Sequence, residues 1–128
     1  MIDLTLPIWL LGIHFVADFL CQTKWMALNK SKNWDALFRH VVVYSLCFFP
    51  FTSPDFVFVT GLTHFMTDAC TSQLTSKFWF LRIIKLSPTG DTFIGAFEWH
   101  KRHWFFVAIG FDQLLHAIQL AITWRYFA

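Results

Sequence analysis

The stretch HFVADFLCQ, residues 14–22, sets a histidine and an aspartate, His14 and Asp18, four positions apart inside an otherwise apolar run. On a helix that spacing puts both side chains on one face, about one turn apart. The pattern returns as HFMTD, giving His64 and Asp68, and in reverse as DQLLH, giving Asp112 and His116. Ionisable groups on an apolar helix are costly unless they meet partners. The chain is therefore constrained to folds that turn these three faces toward one another.

The surroundings of the pairs suggest lipid. The chain is 56% hydrophobic and 20% aromatic but only 14% charged, against about 25% charged in a typical soluble domain. Apolar segments over about residues 4–22, 35–51, 55–75 and 103–124 of the 128 predict one domain: an all-α, polytopic membrane protein, a four-helix transmembrane bundle. A three-span alternative makes the short second segment re-entrant. The N-terminus, MIDLTLPIWLLGIHF, carries Asp3 and no basic region, so it reads as a retained first span. Trp25 and Trp34 bracket the first polar connection, and Trp99 and Trp104 flank the start of the last segment, as interface anchors do. SKFWFLRIIKLS, from Ser76, reads either as an interfacial amphipathic segment or as an extension of the third helix, and SPTGD, 87–91, as a turn. Cys21, Cys47 and Cys70 lie in separate segments, read as small buried packing residues and imply no disulfide framework.

Basic residues set the orientation. Lys24, Lys30, Lys32, Arg39, Lys77, Arg82, Lys85, Lys101 and Arg102 fall on the first and third connections, with Arg125 on the other side. The positive-inside rule then puts those connections in the cytoplasm and both termini outside. The same distribution argues against a nucleic-acid partner, because the charges follow segment boundaries and form no continuous stripe. Membrane lipid is the expected partner, and self-association into a homo-oligomer is compatible with the pattern. HFVAD and HFMTD, fifty residues apart, form a weak internal repeat.

Counting about 1.5 Å per residue from the cytoplasmic ends puts Asp18, His40, Asp68 and Asp112 roughly 8–14 Å deep, with His14, His64 and His116 one turn farther in. Seven ligand-type side chains thus reach one level, and imidazole with carboxylate suits a divalent transition metal, zinc first, iron or manganese next, as one or two ions. The expected ligands are His14, Asp18, His40, His64, Asp68, Asp112 and His116, with Asp18, Asp68 and Asp112 the candidate catalytic groups. Gln22, Gln113 and Tyr44 are expected to support them, and Arg39, Lys101 and Arg102 to hold a substrate phosphate or lipid headgroup. His100 and His103, beside Lys101 and Arg102, read as part of an interfacial patch. The bland alternative is that each His bonds an Asp on a neighbouring helix and only fixes the packing.

HFVADFLCQTKWMALNK, the His in ALFRHVVVY, HFMTD and FDQLLHAIQL together resemble the blocks of domain-of-unknown-function family 3307, small integral membrane proteins of bacteria and their phages. The resemblance implies that His14, Asp18, Gln22, His40, His64, Asp68, Asp112, Gln113 and His116 are signature positions, and that the protein resides in the bacterial inner membrane. It also implies a basic residue soon after Asp68, where this chain offers Lys77. It supplies no activity. The residues themselves point first to a metal-dependent hydrolase acting on a membrane-embedded or phosphate-bearing substrate. The alternatives are a cation or proton transporter or channel, and a non-catalytic membrane partner protein.

Overall fold

A computed structural model describes the backbone of residues 5–30, 32–86 and 94–127, and the side chains of 5–30, 32–71 and 106–127. Among the described residues there is no strand. Helix α1 spans Ile8–Phe15 and runs into a π-helical turn, Val16–Leu20, closed by the Cys21 N–H donating to the Val16 carbonyl at 2.9 Å. Pro7, with φ fixed near the helical value, precedes the first turn, where its missing N–H costs nothing. The π turn starts between His14 and Asp18, whose Nε2 and Oδ2 atoms still approach to 3.9 Å. Such turns are frequent at functional sites.

The polar connection contains a further short helix, α2, Lys24–Asn29, started by Thr23, whose hydroxyl accepts from the Met26 N–H at 3.2 Å. Helix α3, Trp34–Phe48, starts at Asn33, whose side chain accepts from the Asp35 N–H at 2.9 Å. Its buried face, Ala36, Leu37, His40, Val41, Tyr44 and Phe48, recurs every three or four residues. Helix α4, Pro54–Leu86, buries Phe56, Thr60, Gly61, His64, Thr67 and Asp68 on one stripe. Helix α5, Ile94–Phe127, buries His116, Leu120, Ala121 and Thr123.

Consecutive long helices run antiparallel. His14 meets Tyr44 while Asp18 meets His40, Tyr44 meets His64 while Phe48 meets Phe56, and Thr71 meets Asp112 while Ser53 bonds the Phe127 carbonyl. α1 and α5 close the bundle through His14–Gln113 and the Trp9–Trp124 edge contact. One end of the interior is an apolar plug of Leu10, Ala17, Tyr44, Phe48, Phe56 and Leu120, with Trp124 packed against it. The buried His and Asp residues lie toward the other end, while Thr60 and Thr123 are buried alongside the plug.

Where Gly61 of α4 faces Ser45 of α3, a Cβ would come 2.3 Å from the Ser45 Oγ. With the Ser45 hydroxyl where it stands, only glycine avoids that conflict. α3 and α4 approach closely there, which is what lets His40 and His64 touch one turn away.

The helices correspond to the four apolar segments, but they do not all satisfy the requirements of a span. Among the described residues one stretch, Phe106–Phe127, is long and apolar enough to cross a membrane, with mean hydropathy 1.4; Ile8–Leu20 is apolar but shorter. A four-span bundle is thus not supported by length and apolarity. α3 has only 15 residues, short of the roughly 20 a span needs, and α1 is cut short by the connection that begins at Cys21. The stretch after Ser76 continues α4 as helix to Leu86. The expected 87–91 turn lies outside the described residues. The cysteines are free, and Cys21 and Cys70 are exposed while Cys47 is half-buried, so only Cys47 approaches the packing role expected of all three.

Candidate metal centre

Three helical elements bring four ligand-type side chains to one point. The π turn supplies Asp18, α3 supplies His40 and α4 supplies His64 and Asp68, all buried. The His40 Nε2 lies 3.0 Å from Asp18 Oδ1, 3.2 Å from His64 Nε2 and 3.4 Å from Asp68 Oδ2. The His64 Nε2 lies 3.6 Å from Asp18 Oδ1 and 3.4 Å from Asp68 Oδ2. Four donor atoms around an ion with bonds of about 2.0–2.1 Å stand about 3.3–3.4 Å apart at the corners of a tetrahedron. Five of the six edges thus fall between 3.0 and 3.6 Å, and the cluster could hold a metal ion.

Hydrogen bonding alone leaves this group poorly satisfied. Two imidazole nitrogens and two carboxylate oxygens face one another, and carboxylates only accept. Asp68 Oδ2 is buried without a hydrogen-bond partner, as are the Nδ1 atoms of His40 and His64. The ring of His64 is fixed between the Tyr44 ring, stacked at 3.7 Å, and the His116 ring at 4.2 Å. That sandwich aims Nε2 at the centre of the cage.

A second group, Asp18, Asp112 and His116, adjoins the first. His116 Nε2 lies 3.0 Å from Asp68 Oδ1 and 3.4 Å from Asp112 Oδ2. Asp18 and Asp68 therefore turn one oxygen to the cage and the other to this side. Here Gln113 intervenes, its amide N–H donating to Asp18 Oδ2 at 2.9 Å and approaching Asp112 Oδ2 at 3.4 Å. The Thr71 hydroxyl reaches the other Asp112 oxygen. A second ion would have to displace that amide, so the first cage is the better formed of the two.

His14, expected as a ligand, is not in either group. Because Asp18 only accepts, Gln113 must present its N–H to Asp18 and its carbonyl to His14. The His14 Nε2–H then donates to Gln113 Oε1 at 2.8 Å, leaving Nδ1 to accept from the Tyr44 hydroxyl, also at 2.8 Å. Both ring nitrogens are used, and the series Tyr44, His14, Gln113 orients Asp18. Gln113 and Tyr44 thus take the supporting positions expected of them. Gln22 Oε1 is buried with no hydrogen-bond partner.

Arg39, expected over the site as a phosphate clamp, is instead paired on the exposed face of α3 with Asp35 at 3.0 Å, over the Trp25 ring. The i,i+4 spacing of Asp35 and Arg39 favours that pair over a reach across the bundle. The side chains of Lys77, His100, Lys101, Arg102 and His103 lie outside the described residues. Among the described residues, the Lys or Arg that reaches the cage is Lys30, at the end of α2, with Nζ 3.5 Å from Asp68 Oδ2 and 3.8 Å from Asp18 Oδ1. Sequence reasoning missed it by reading the segment only as a polar connection whose lysines set the orientation. The available signal was position: the connection joins the ends of the helices that carry Asp18 and His40, so its lysines must lie near that end of the site.

Fold and cluster together define an all-helical protein with a buried His/Asp group able to take a metal ion. The chain belongs to the family described as protein of unknown function (DUF3307), which it matches over residues 6–128. No curated protein and no solved structure matches it.

Proposed function

We propose that the protein is a small integral membrane protein whose bundle encloses a single-ion metal centre of Asp18, His40, His64 and Asp68, used as a metal-dependent hydrolase. The observation that carries the metal reading is the set of near-tetrahedral separations among four buried donor atoms, two of which are carboxylate oxygens. A divalent ion would neutralise two buried carboxylates that otherwise have only Lys30 and imidazoles as counter-charge. When bound it supplies Lewis-acid chemistry and brings the pKa of water toward neutrality. Asp112, half-buried and beside His116, is the carboxylate outside the cage and the natural proton acceptor. His14 and Gln113 hold Asp18 in place.

The membrane reading rests on an inversion of the usual polarity. The interior holds His14, Asp18, His40, Thr60, His64, Thr67, Asp68 and His116, while Ile8 is 86% exposed, Phe58 72% and Phe106 68%. Large apolar side chains face outward on α1, α3, α4 and α5, whereas contiguous apolar patches on a soluble monomer are usually limited to a few hundred Å². Lipid is the medium in which that surface carries no penalty. The short α3 is then accommodated by local thinning or by its flanking Trp34 and Arg39. The basic connections orient the bundle with α2 toward the cytoplasm of a bacterial inner membrane.

Elemental analysis of protein purified in detergent tests the metal reading: about one equivalent of a transition metal is expected, lost in Asp68→Asn and in His64→Ala. Less than about a tenth of an equivalent in the wild type would remove it.

A second reading, passage of a cation or proton, is favoured by the polar seam between α4 and α5. Buried Thr60 and Thr123, and Gln119 bonded to the Thr63 carbonyl and the Thr67 hydroxyl, continue polar groups beyond the cluster. Flux into proteoliposomes that is abolished by Asp68→Asn supports this second reading; no flux above lipid alone excludes it.

A further inference from the structure

Lys30 touches the cage without completing it. Its ammonium is 3.5 Å from Asp68 Oδ2 and 3.8 Å from Asp18 Oδ1, the same two oxygens that face His40 and His64. Both separations exceed a good hydrogen bond, and Asp68 Oδ2 remains without a hydrogen-bond partner. The Lys30 side chain is 19% exposed while those of Asp18 and Asp68 are 2% and 0%. The ammonium therefore stands between the cage and the outside, at its mouth.

Its stem is anchored. The Lys30 N–H donates to the Met26 carbonyl at 2.9 Å, and α2 is capped by Thr23 and braced by Asn29, whose side-chain amide donates to the Trp25 carbonyl at 2.8 Å. Arg39, on the adjoining first turns of α3, is occupied by Asp35.

Charge arithmetic gives this arrangement a direction. The two cage carboxylates and the ammonium alone sum to −1, and Asp112 beside them adds further negative charge, which repels an anion. A divalent ion in the cage changes the sum to +1 and engages the oxygens that had held the ammonium. Lys30 is then a donor-rich cation beside a metal, with the two oxygens that had faced it engaged by the ion.

We propose that Lys30 and the metal-loaded cage together form a binding site for an oxyanion of the phosphate type, open only when the metal is in place. This rests on the metal reading above and assigns that site its substrate class. Lysine binds phosphate as a point charge, and an oxyanion has separate oxygens to offer to the ammonium and to the ion. Binding is ordered, metal first.

The test is calorimetric titration of inorganic phosphate into detergent-solubilised wild type, Lys30→Met and Lys30→Arg, each with metal loaded and stripped, and with metal content measured beforehand. Phosphate is expected to bind loaded wild type, to bind loaded Lys30→Met at least about tenfold more weakly, and to be largely retained by Lys30→Arg. Stripped wild type is expected not to bind it. Equal affinity in loaded wild type and loaded Lys30→Met overturns the proposal, as does binding to the stripped protein. A wild type that retains no metal overturns the metal reading and this inference with it, and that failure is visible before any phosphate is added. Nanodiscs with phosphatidic acid, compared with phosphatidylcholine alone, identify the source: weakened phosphate binding in the first assigns the site to a lipid headgroup, and equal binding assigns it to a free phosphate compound.

Discussion

Replacing Gly61 by alanine probes the crossing that brings His40 to His64. The new Cβ would stand 2.3 Å from the Ser45 Oγ and 3.5 Å from the Ser45 Cβ. The second distance is ordinary contact, so the conflict involves one atom. That hydroxyl can escape by rotating, but it donates to the Val41 carbonyl at 2.8 Å, and losing this bond costs about 1 kcal/mol. The other escape is separation of α3 from α4 by about 1 Å, an overpacking cost of roughly 1–3 kcal/mol. Against either stands the gain of about 1 kcal/mol from replacing glycine within a helix. Gly61→Ala alone is thus expected to destabilise by up to about 2 kcal/mol. In a Ser45→Ala background the same change is expected to stabilise by up to about 1 kcal/mol, because the opposing atom is gone. Equilibrium unfolding of the four proteins of this double-mutant cycle in mixed detergent micelles measures both signs. If helix separation rather than hydroxyl rotation is the route taken, metal affinity falls in Gly61→Ala and recovers in the double variant. Equal effects of Gly61→Ala in the two backgrounds would refute the close approach of α3 to α4, and with it the account of how the two imidazoles come together.

The remaining predictions concern individual roles. His14→Gln should leave the metal stoichiometry unchanged, since both nitrogens of His14 are committed to Tyr44 and Gln113; loss of the ion measured by elemental analysis would restore His14 to the ligand set. Arg39→Ala should change stability by no more than about 1 kcal/mol in the same unfolding assay and leave phosphate binding unaffected, because its ion pair with Asp35 is exposed. A Thr71→Val variant should weaken the hold on Asp112 while leaving the metal bound, and in an activity assay it should lower turnover without changing metal content.

Much of the site could be read from residue spacing because insertion into an apolar segment is costly enough to force partners. His40, His64, Asp68, Asp18 and His116 met as their positions along the segments implied, and the amphipathic stripes of α3 and α4 were visible as three- and four-residue recurrences. What spacing does not contain is the competition for each ring nitrogen. HFVAD and HFMTD are nearly the same five residues, yet His14 is consumed by Tyr44 and Gln113 while His64 is stacked on Tyr44 and aimed into the cage. That difference arises from two other helices. The π turn at Val16–Leu20 carries no distinctive residue, and it reflects how the end of α1 packs on α3. Lys30 reads from the sequence as one of the lysines of a polar cytoplasmic connection, whereas Thr23 caps a helix in that segment that returns the lysine to the carboxylates. Helix length was legible within a few residues for α3, and the extension of α4 to Leu86 was one of two readings its amphipathic sequence allowed.

X-ray absorption at the edge of the co-purifying metal measures the ligand set directly. The account predicts a first shell containing two imidazole nitrogens and two carboxylate oxygens at about 2.0–2.2 Å together with one further oxygen from water or a bound oxyanion, losing one nitrogen in His64→Ala. A first shell made only of oxygens at longer distance, or one that His64→Ala and Asp68→Asn leave unaltered, would contradict it.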